Sequence, residues 1–198
     1  MKRLLRGVSV LAAATAMALA PAAAQSLASN EQFIVKVGIS APTKDNVRSA
    51  DTTWWMGGLE YQFGDPDAVS VNSMELDYTA GSGRHTPALE QEIRERYRTI
   101  SLMFNHKVRR IRTDRFTPGN VLFYGAGVGA DVVRVQVDDP NPGGEGSIRE
   151  TGTLAAANVF VGYEFASNLQ LEARYHLSLG DVADRKMNSF QLLAGFKF

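Results

Sequence analysis

The chain has 198 residues, with 21 Lys plus Arg balanced by 21 Asp plus Glu, 44% hydrophobic residues and no cysteine. The charge balance gives no electrostatic footprint for nucleic acid, and the missing cysteines exclude disulfides, thiolate metal sites and the lipidated cysteine of a bacterial lipoprotein. Length allows one domain, or one domain behind a processed segment. At the start, Lys2, Arg3 and Arg6 precede an apolar run from Val8 to Ala20, and Pro21-Ala22-Ala23-Ala24 supplies small residues. That pattern predicts a cleaved export signal over residues 1–24, too short to span a bilayer as a helix, leaving 25–198 as one domain with a charge near −3, for which no cofactor is expected.

After the signal, apolar residues alternate with polar ones, the period of a strand with two different faces. The first strand covers Gln32 to Ala41, with Phe33, Val35, Val37 and Ile39 on one face and Lys36, Gly38 and Ser40 on the other; Ile34 is the misfit. A polar loop from Pro42 to Thr53 leads to a second strand with Trp55, Leu59, Tyr61 and Phe63 opposite Trp54, Met56, Glu60 and Gln62. The turn Gly64 to Asp67 opens a third strand over Ala68 to Thr79, where Met74, Leu76 and Tyr78 oppose Glu75 and Asp77. Val69 and Val71 have the wrong parity there, which predicts either a bulge near Asn72 or Ser73 or two valines turned inward.

Pro87 to Arg98 reads equally as a short helix capped by Thr86 or as an early start of strand four. Strand four itself shows Ile100, Leu102 and Phe104, and a basic connection from His106 to Asn120 follows, carrying Lys107, Arg109, Arg110, Arg112 and Arg115. Such a run reads as a solvated turn, or as a contact for lipid phosphates or a periplasmic partner. Strand five, Val121 to Gln136, sets Leu122, Tyr124, Ala126, Val128, Ala130 and Val132 against Gly125, Gly127, Gly129 and Asp131. Asp138 to Gly152 reads as loop. Strand six runs from Ala155 to Phe165, strand seven from Leu169 to Leu179, and, after a polar loop from Gly180 to Asn188, strand eight from Ser189 to Phe198.

An even number of strands, alternating short and long connections, and faces of opposite character predict an all-β, eight-stranded antiparallel up-and-down transmembrane β-barrel with an apolar exterior and a polar lumen. The direction follows from volume. The interior of eight strands is narrow, and the polar face carries the glycines together with Lys36, Glu60, Glu75, Asp77, Asp131, Glu164, Glu172, Arg174, His176 and Lys197, charges that can pair inside but are penalised against lipid. Tyr61, Phe63, Tyr163, Phe165, Phe196 and Phe198 cluster at the end that holds the termini, and Trp55 and Tyr78 near the other, as interfacial girdles.

These features, with Phe123 to Asp131 (FYGAGVGAD) and Asn158 to Phe165 (NVFVGYEF), resemble the small eight-stranded outer-membrane proteins of the OmpA, OmpX and OmpW kind. The resemblance implies a place in the outer membrane of a Gram-negative bacterium, export by the general secretory pathway, contact with outer-membrane lipids and lipopolysaccharide, and handling by periplasmic chaperones and the β-barrel assembly machinery, for which the terminal Phe198 is part of the signal. It implies a structural or interaction role with exposed loops and no catalytic activity, or alternatively a narrow pore for small solutes.

Two motifs point to chemistry. Gly125 to Ala130 matches the dinucleotide pattern G-x-G-x-x-G/A, but inside an alternating strand with no following helix the match is accidental. His176-Leu177-Ser178 resembles part of the lipid A 3-O-deacylase signature, in which a histidine activates a serine. The motif's next residue is Asn where this chain has Leu179, and strand parity turns His176 and Ser178 into the lumen, away from acyl chains.

Overall fold

The computed structural model describes residues 33–43, 53–63, 68–85, 93–111, 120–138 and 147–198; the expected export signal and the segment 86–92 lie outside them. Eight strands, β1 (Phe33–Pro42), β2 (Trp54–Phe63), β3 (Ser70–His85), β4 (Ile93–Ile111), β5 (Val121–Asp138), β6 (Ser147–Glu164), β7 (Leu169–Leu179) and β8 (Ser189–Lys197), form one closed barrel in sequence order. Every neighbouring pair is antiparallel, and β1 closes on β8 through Ile34↔Lys197 to Pro42↔Ser189. The Phe198 N–H donates to the Phe33 carbonyl at 2.8 Å, so the closing seam is bonded to its last residue.

The two faces separate as the alternation requires. Lumen residues such as Lys36, Glu75 and Arg174 are buried, whereas Trp55, Val128, Leu192 and Phe190 are 58–70% exposed on the outside. From Leu122 to Val132 the exterior of β5 presents only apolar side chains; at a strand tilt near 40° that run spans about 25 Å, the height of a membrane band. No residue of the described structure forms a helix able to cross a membrane.

The strands are unequal, and this corrects several expectations. β3 does not stop at Thr79 but runs to His85, where Gly81 to His85 pair with β4 alone. β4 begins at Ile93, so of the two readings of this stretch the early start of strand four holds, and Ile93 to Arg98 form no helix. Of the segment read as loop from Asp138 to Gly152, Asp138 and Ser147 to Gly152 are strand, with Asp138 paired to Ser147 and Val133 to Gly152, while 139–146 lie outside the described residues. Together β3 to β6 make a four-stranded wall that rises above the barrel rim at the end away from the termini. The outward positions of these stretches carry polar residues such as Arg94, Arg96 and Arg98, and glycines interrupt β3 at Gly81 and Gly83, so they lack the apolar outer face that marks a membrane strand, yet their backbone ladders are continuous.

At the other end β4 continues to Ile111 and shortens the basic connection to 112–120. No bulge interrupts β3: its register with β4 is unbroken, Val71 turns inward and is buried, and Val69 lies before the strand, exposed. Ile34 is buried inside too, beneath Gly195.

Candidate functional site

Among the described residues the lumen gathers most of the buried ionisable side chains. Lys36 of β1 sends its ammonium to Glu60 at 2.7 Å, Glu75 at 2.9 Å and Glu172 at 3.0 Å. Opposite it, Arg174 of β7 reaches Glu172 at 2.6 Å, Glu75 at 2.7 Å and Asp77 at 2.9 Å. The two cations therefore share Glu75 and Glu172, and the pairs join β1, β2, β3 and β7 across the bore. Asn105 donates to the second oxygen of Glu75 at 2.8 Å, and Asn158 donates to Asn105 at 3.2 Å. All these groups are 3% exposed or less. Buried charges at that depth persist only when paired and hydrogen-bonded.

Below this cluster, toward the termini, Lys107 pairs with Glu60 at 2.9 Å and lies over the Phe123 ring at 4.7 Å. Arg109 reaches Glu164 at 3.0 Å, and Lys197 reaches the same Glu164 oxygen at 3.5 Å. Lys107 and Arg109 are thus lumen residues and do not belong to a solvated turn; the sequence signal was present as odd parity continuing from Asn105, hidden by the density of arginines. Lys197 meets Glu164 at the terminal mouth and does not join the central cluster.

Two buried aromatics also went unread from sequence. Phe123 sits directly opposite Gly162, and Phe160 opposite Gly125, in the β5:β6 register. A Cβ added at Gly162 would strike the Phe123 ring, and one at Gly125 the Phe160 ring. The glycines on this face make room for inward rings, and the rings fill the narrow bore beside the charges.

Above the charge cluster the lumen changes character. Trp54 stacks on Tyr97 with ring centroids 5.0 Å apart, and Val133, Val135, Val182 and Met187 complete a buried apolar cluster. Val182 and Met187 come from the segment 180–188, so this stretch is not a solvated polar loop but a strap folded into the outer mouth. A Val182↔Arg185 bridge shapes it, Gly180 takes the left-handed φ of 123° needed to turn it, and Arg185 binds Glu95 of the wall at 3.0 Å. The Tyr97 hydroxyl donates to Glu95 as well. Burial, reinforced by that carboxylate, holds the Tyr97 phenol above its ordinary range.

His176 and Ser178 lie between these layers. His176 Nε2 stands 2.8 Å and Ser178 Oγ 2.5 Å from the same Asp131 oxygen, and all three are buried inside the barrel. The hydroxyl donates to a carboxylate and is aimed away from the lipid side. Among the described residues no group of His, Asp and Glu could hold a metal ion.

On the exterior at the terminal end, Phe33 contacts Tyr61 at 4.8 Å, Tyr61 contacts Phe63 at 5.1 Å, Tyr163 contacts Phe165 at 5.0 Å and Phe196 contacts Phe198 at 5.0 Å. Trp55 and Tyr78 are exposed near the other rim.

An apolar belt around a polar, packed lumen in a closed eight-stranded barrel defines an integral outer-membrane barrel protein. The chain belongs to the family described as outer membrane protein beta-barrel domain, whose model matches residues 9–198, and with that family it is assigned to the outer membrane of Gram-negative bacteria. Among solved structures it is similar to the Neisserial surface protein A (16% identity, TM-score 0.54), with 85% of this chain and 98% of that one covered. It is similar to the outer membrane enzyme PagL (11% identity, TM-score 0.52), covering 83% and 99%. The N-terminal β-barrel domain of Pseudomonas aeruginosa OprF matches at 15% identity and TM-score 0.48, covering 85% and 98%. At these identities the likeness is one of fold. No curated protein sequence matches the chain.

Proposed function

We propose that this protein is a non-catalytic, non-conducting outer-membrane barrel that acts as a rigid support for a surface-exposed β-wall. The observation that carries the reading is the lumen itself: Lys36, Arg174, Glu60, Glu75, Asp77 and Glu172 lock to one another across the bore. A solute would have to break pairs whose partners have no water to replace them, a cost of several kcal/mol per ion. The strap adds a second closure, apolar where the first is ionic. The wall of β3 to β6 then presents its polar outer face beyond the membrane, and that is where partners have access.

A lipid A-modifying role is disfavoured because Ser178 and His176 are directed at Asp131 inside the barrel, where an ester in the bilayer does not reach them. The pathway to the membrane is secretory export with removal of residues 1–24, followed by chaperone and assembly-machinery recognition of the last strand. Purified protein in planar bilayers tests the central statement. It is expected to stay silent under applied voltage; reproducible discrete currents from the wild-type chain would instead make it a small-solute pore.

A further inference from the structure

On the outer face of the wall two arginines stand directly opposite each other. Arg98 of β4 is the register partner of Arg134 of β5, and both side chains are exposed. Like charges in that position destabilise an antiparallel pair. Arg96 and Arg94 continue the same face outward along β4, and Arg149 approaches from β6, donating to Gln136 at 3.2 Å. Among the described residues the acid on this face is Asp138. It is engaged at the far edge, accepting from Ser147 at 2.8 Å and Gln136 at 3.0 Å with Arg96 at 3.9 Å. Its register partner is Arg94, so it does not lie between Arg98 and Arg134.

The position of the pair selects its ligand. The next outward-facing residues toward the membrane are Ile100 and Val132, themselves register partners and both exposed. Two residues along a tilted strand correspond to about 5 Å of height. The guanidinium groups therefore stand just above the apolar band, at headgroup level, on the side away from the termini. Planar guanidinium forks suit phosphate oxygens, and two of them can grip one phosphate from both sides. A ligand that satisfies both the arginines and the adjoining apolar surface carries phosphate and acyl chains together.

We propose that Arg98 and Arg134, with Arg96 and Arg149 flanking, form a binding site for a phosphorylated glycolipid of the outer leaflet, the lipid A portion of lipopolysaccharide. One phosphate bridges Arg98 and Arg134, and the acyl chains descend over Ile100, Leu102 and Val132. The site needs only the membrane-inserted barrel and is independent of whether the lumen conducts.

The test titrates the full-length refolded protein in detergent with fluorescent lipid A. Three proteins are compared: wild type, Arg98→Gln/Arg134→Gln, and Arg110→Gln, whose exposed arginine lies on the same strand at the opposite end. Wild type is also titrated with lipid A stripped of its phosphates. At about one order of magnitude or less per arginine near a charged lipid surface, the double variant is expected to bind roughly thirtyfold more weakly. The dephosphorylated lipid should bind wild type comparably weakly, and Arg110→Gln should stay within twofold. Equal affinity of the double variant and wild type, equal affinity for the two lipids, or an equal loss in Arg110→Gln would overturn the proposal. Inorganic phosphate at millimolar concentration is expected to leave lipid A bound; its displacement by phosphate alone would mark a free-anion site and overturn the lipid assignment. Should the double variant fail to show heat-modifiable migration, the comparison of the two lipids on wild type still decides.

Discussion

Replacing Arg174 by Met is the sharpest perturbation of the lumen. Arg174 touches Glu172, Glu75 and Asp77 at 2.6 to 2.9 Å, and its removal takes the cation from Asp77 and leaves Glu172 and Glu75 to Lys36, itself already bound to Glu60. Deleting one member of a buried ion pair costs about 3–5 kcal/mol, because the orphaned charge remains desolvated. Here the guanidinium serves more than one acid, so the upper part of that range applies. With a urea slope near 2 kcal/mol per molar, the unfolding midpoint should fall by about 2 M. Equilibrium unfolding in a phospholipid bilayer, followed by tryptophan fluorescence and gel migration together, reads this directly. The companion variant Arg174→Met with Glu75→Gln removes one carboxylate as well and is expected to recover at least half of the loss, since a neutralised pair sheds its desolvation cost. A single variant as stable as wild type, or a double variant no better than the single, would refute the claim that the network holds the barrel through its charges.

Other outcomes follow from the remaining layers. Arg185→Ala should free the strap from Glu95; in a Trp55→Phe background, Trp54 emission is then expected to shift to the red, and an unchanged spectrum would mean that the strap is held by Val182 and Met187 alone. Because the Tyr97 phenol is held above its ordinary range, the strap-closed form is fully stable below about pH 10, the value for a free tyrosine, and loses stability as pH rises beyond it. The same fluorescence read from pH 8 to 12 checks the sign, and opening below pH 8 would contradict it. Gly162→Val drives a side chain into the Phe123 ring and should cost on the order of 1–3 kcal/mol as overpacking, with Phe123→Leu as the expected suppressor in the unfolding assay. Deleting Phe198 should lower outer-membrane levels in cells far more than it lowers the stability of protein refolded in vitro; equal levels for both chains would remove its role as an assembly signal. Ser178→Ala and wild type should leave the mass spectrum of lipid A identical, and a deacylated product formed by wild type alone would make the protein an enzyme.

The barrel was legible because its membrane-spanning part is governed by one rule, a strict two-residue period set by lipid outside and a crowded polar bore inside. β7 shows it without exception, and β8 breaks it at Leu193, which is turned into the bore. Legibility failed where the rule no longer applies. Above the membrane the wall of β3 to β6 has water or the strap on its two faces, so Arg94, Arg96 and Arg98 occupy the outward positions that Ile100, Leu102 and Phe104 occupy below, and charge there imitates a loop or a helix. Lys107 and Arg109 were misread for the same reason: basic residues near a chain turn look solvated until Glu60 and Glu164, distant in sequence, supply their partners. Val182 and Met187 were invisible in principle, because two apolar residues in a polar loop carry no period, and only the tall wall shows them a surface to cover.

The unequal strand lengths and the closed lumen are connected. A barrel of eight strands cut level at the membrane would expose its bore to water at both ends, and the central ion pairs would be screened and hydrated. Here the terminal mouth is narrowed by Arg109, Lys197 and Glu164, while the outer mouth is sealed because β4 and β5 rise far enough to offer Tyr97, Val133 and Val135 to the strap. Excluding water from above strengthens every pair below. The wall therefore does more than project toward the surface: its inner face provides the dry lid under which the charge network is worth its desolvation cost, and its outer face carries the exposed Arg94, Arg96, Arg98 and Arg134.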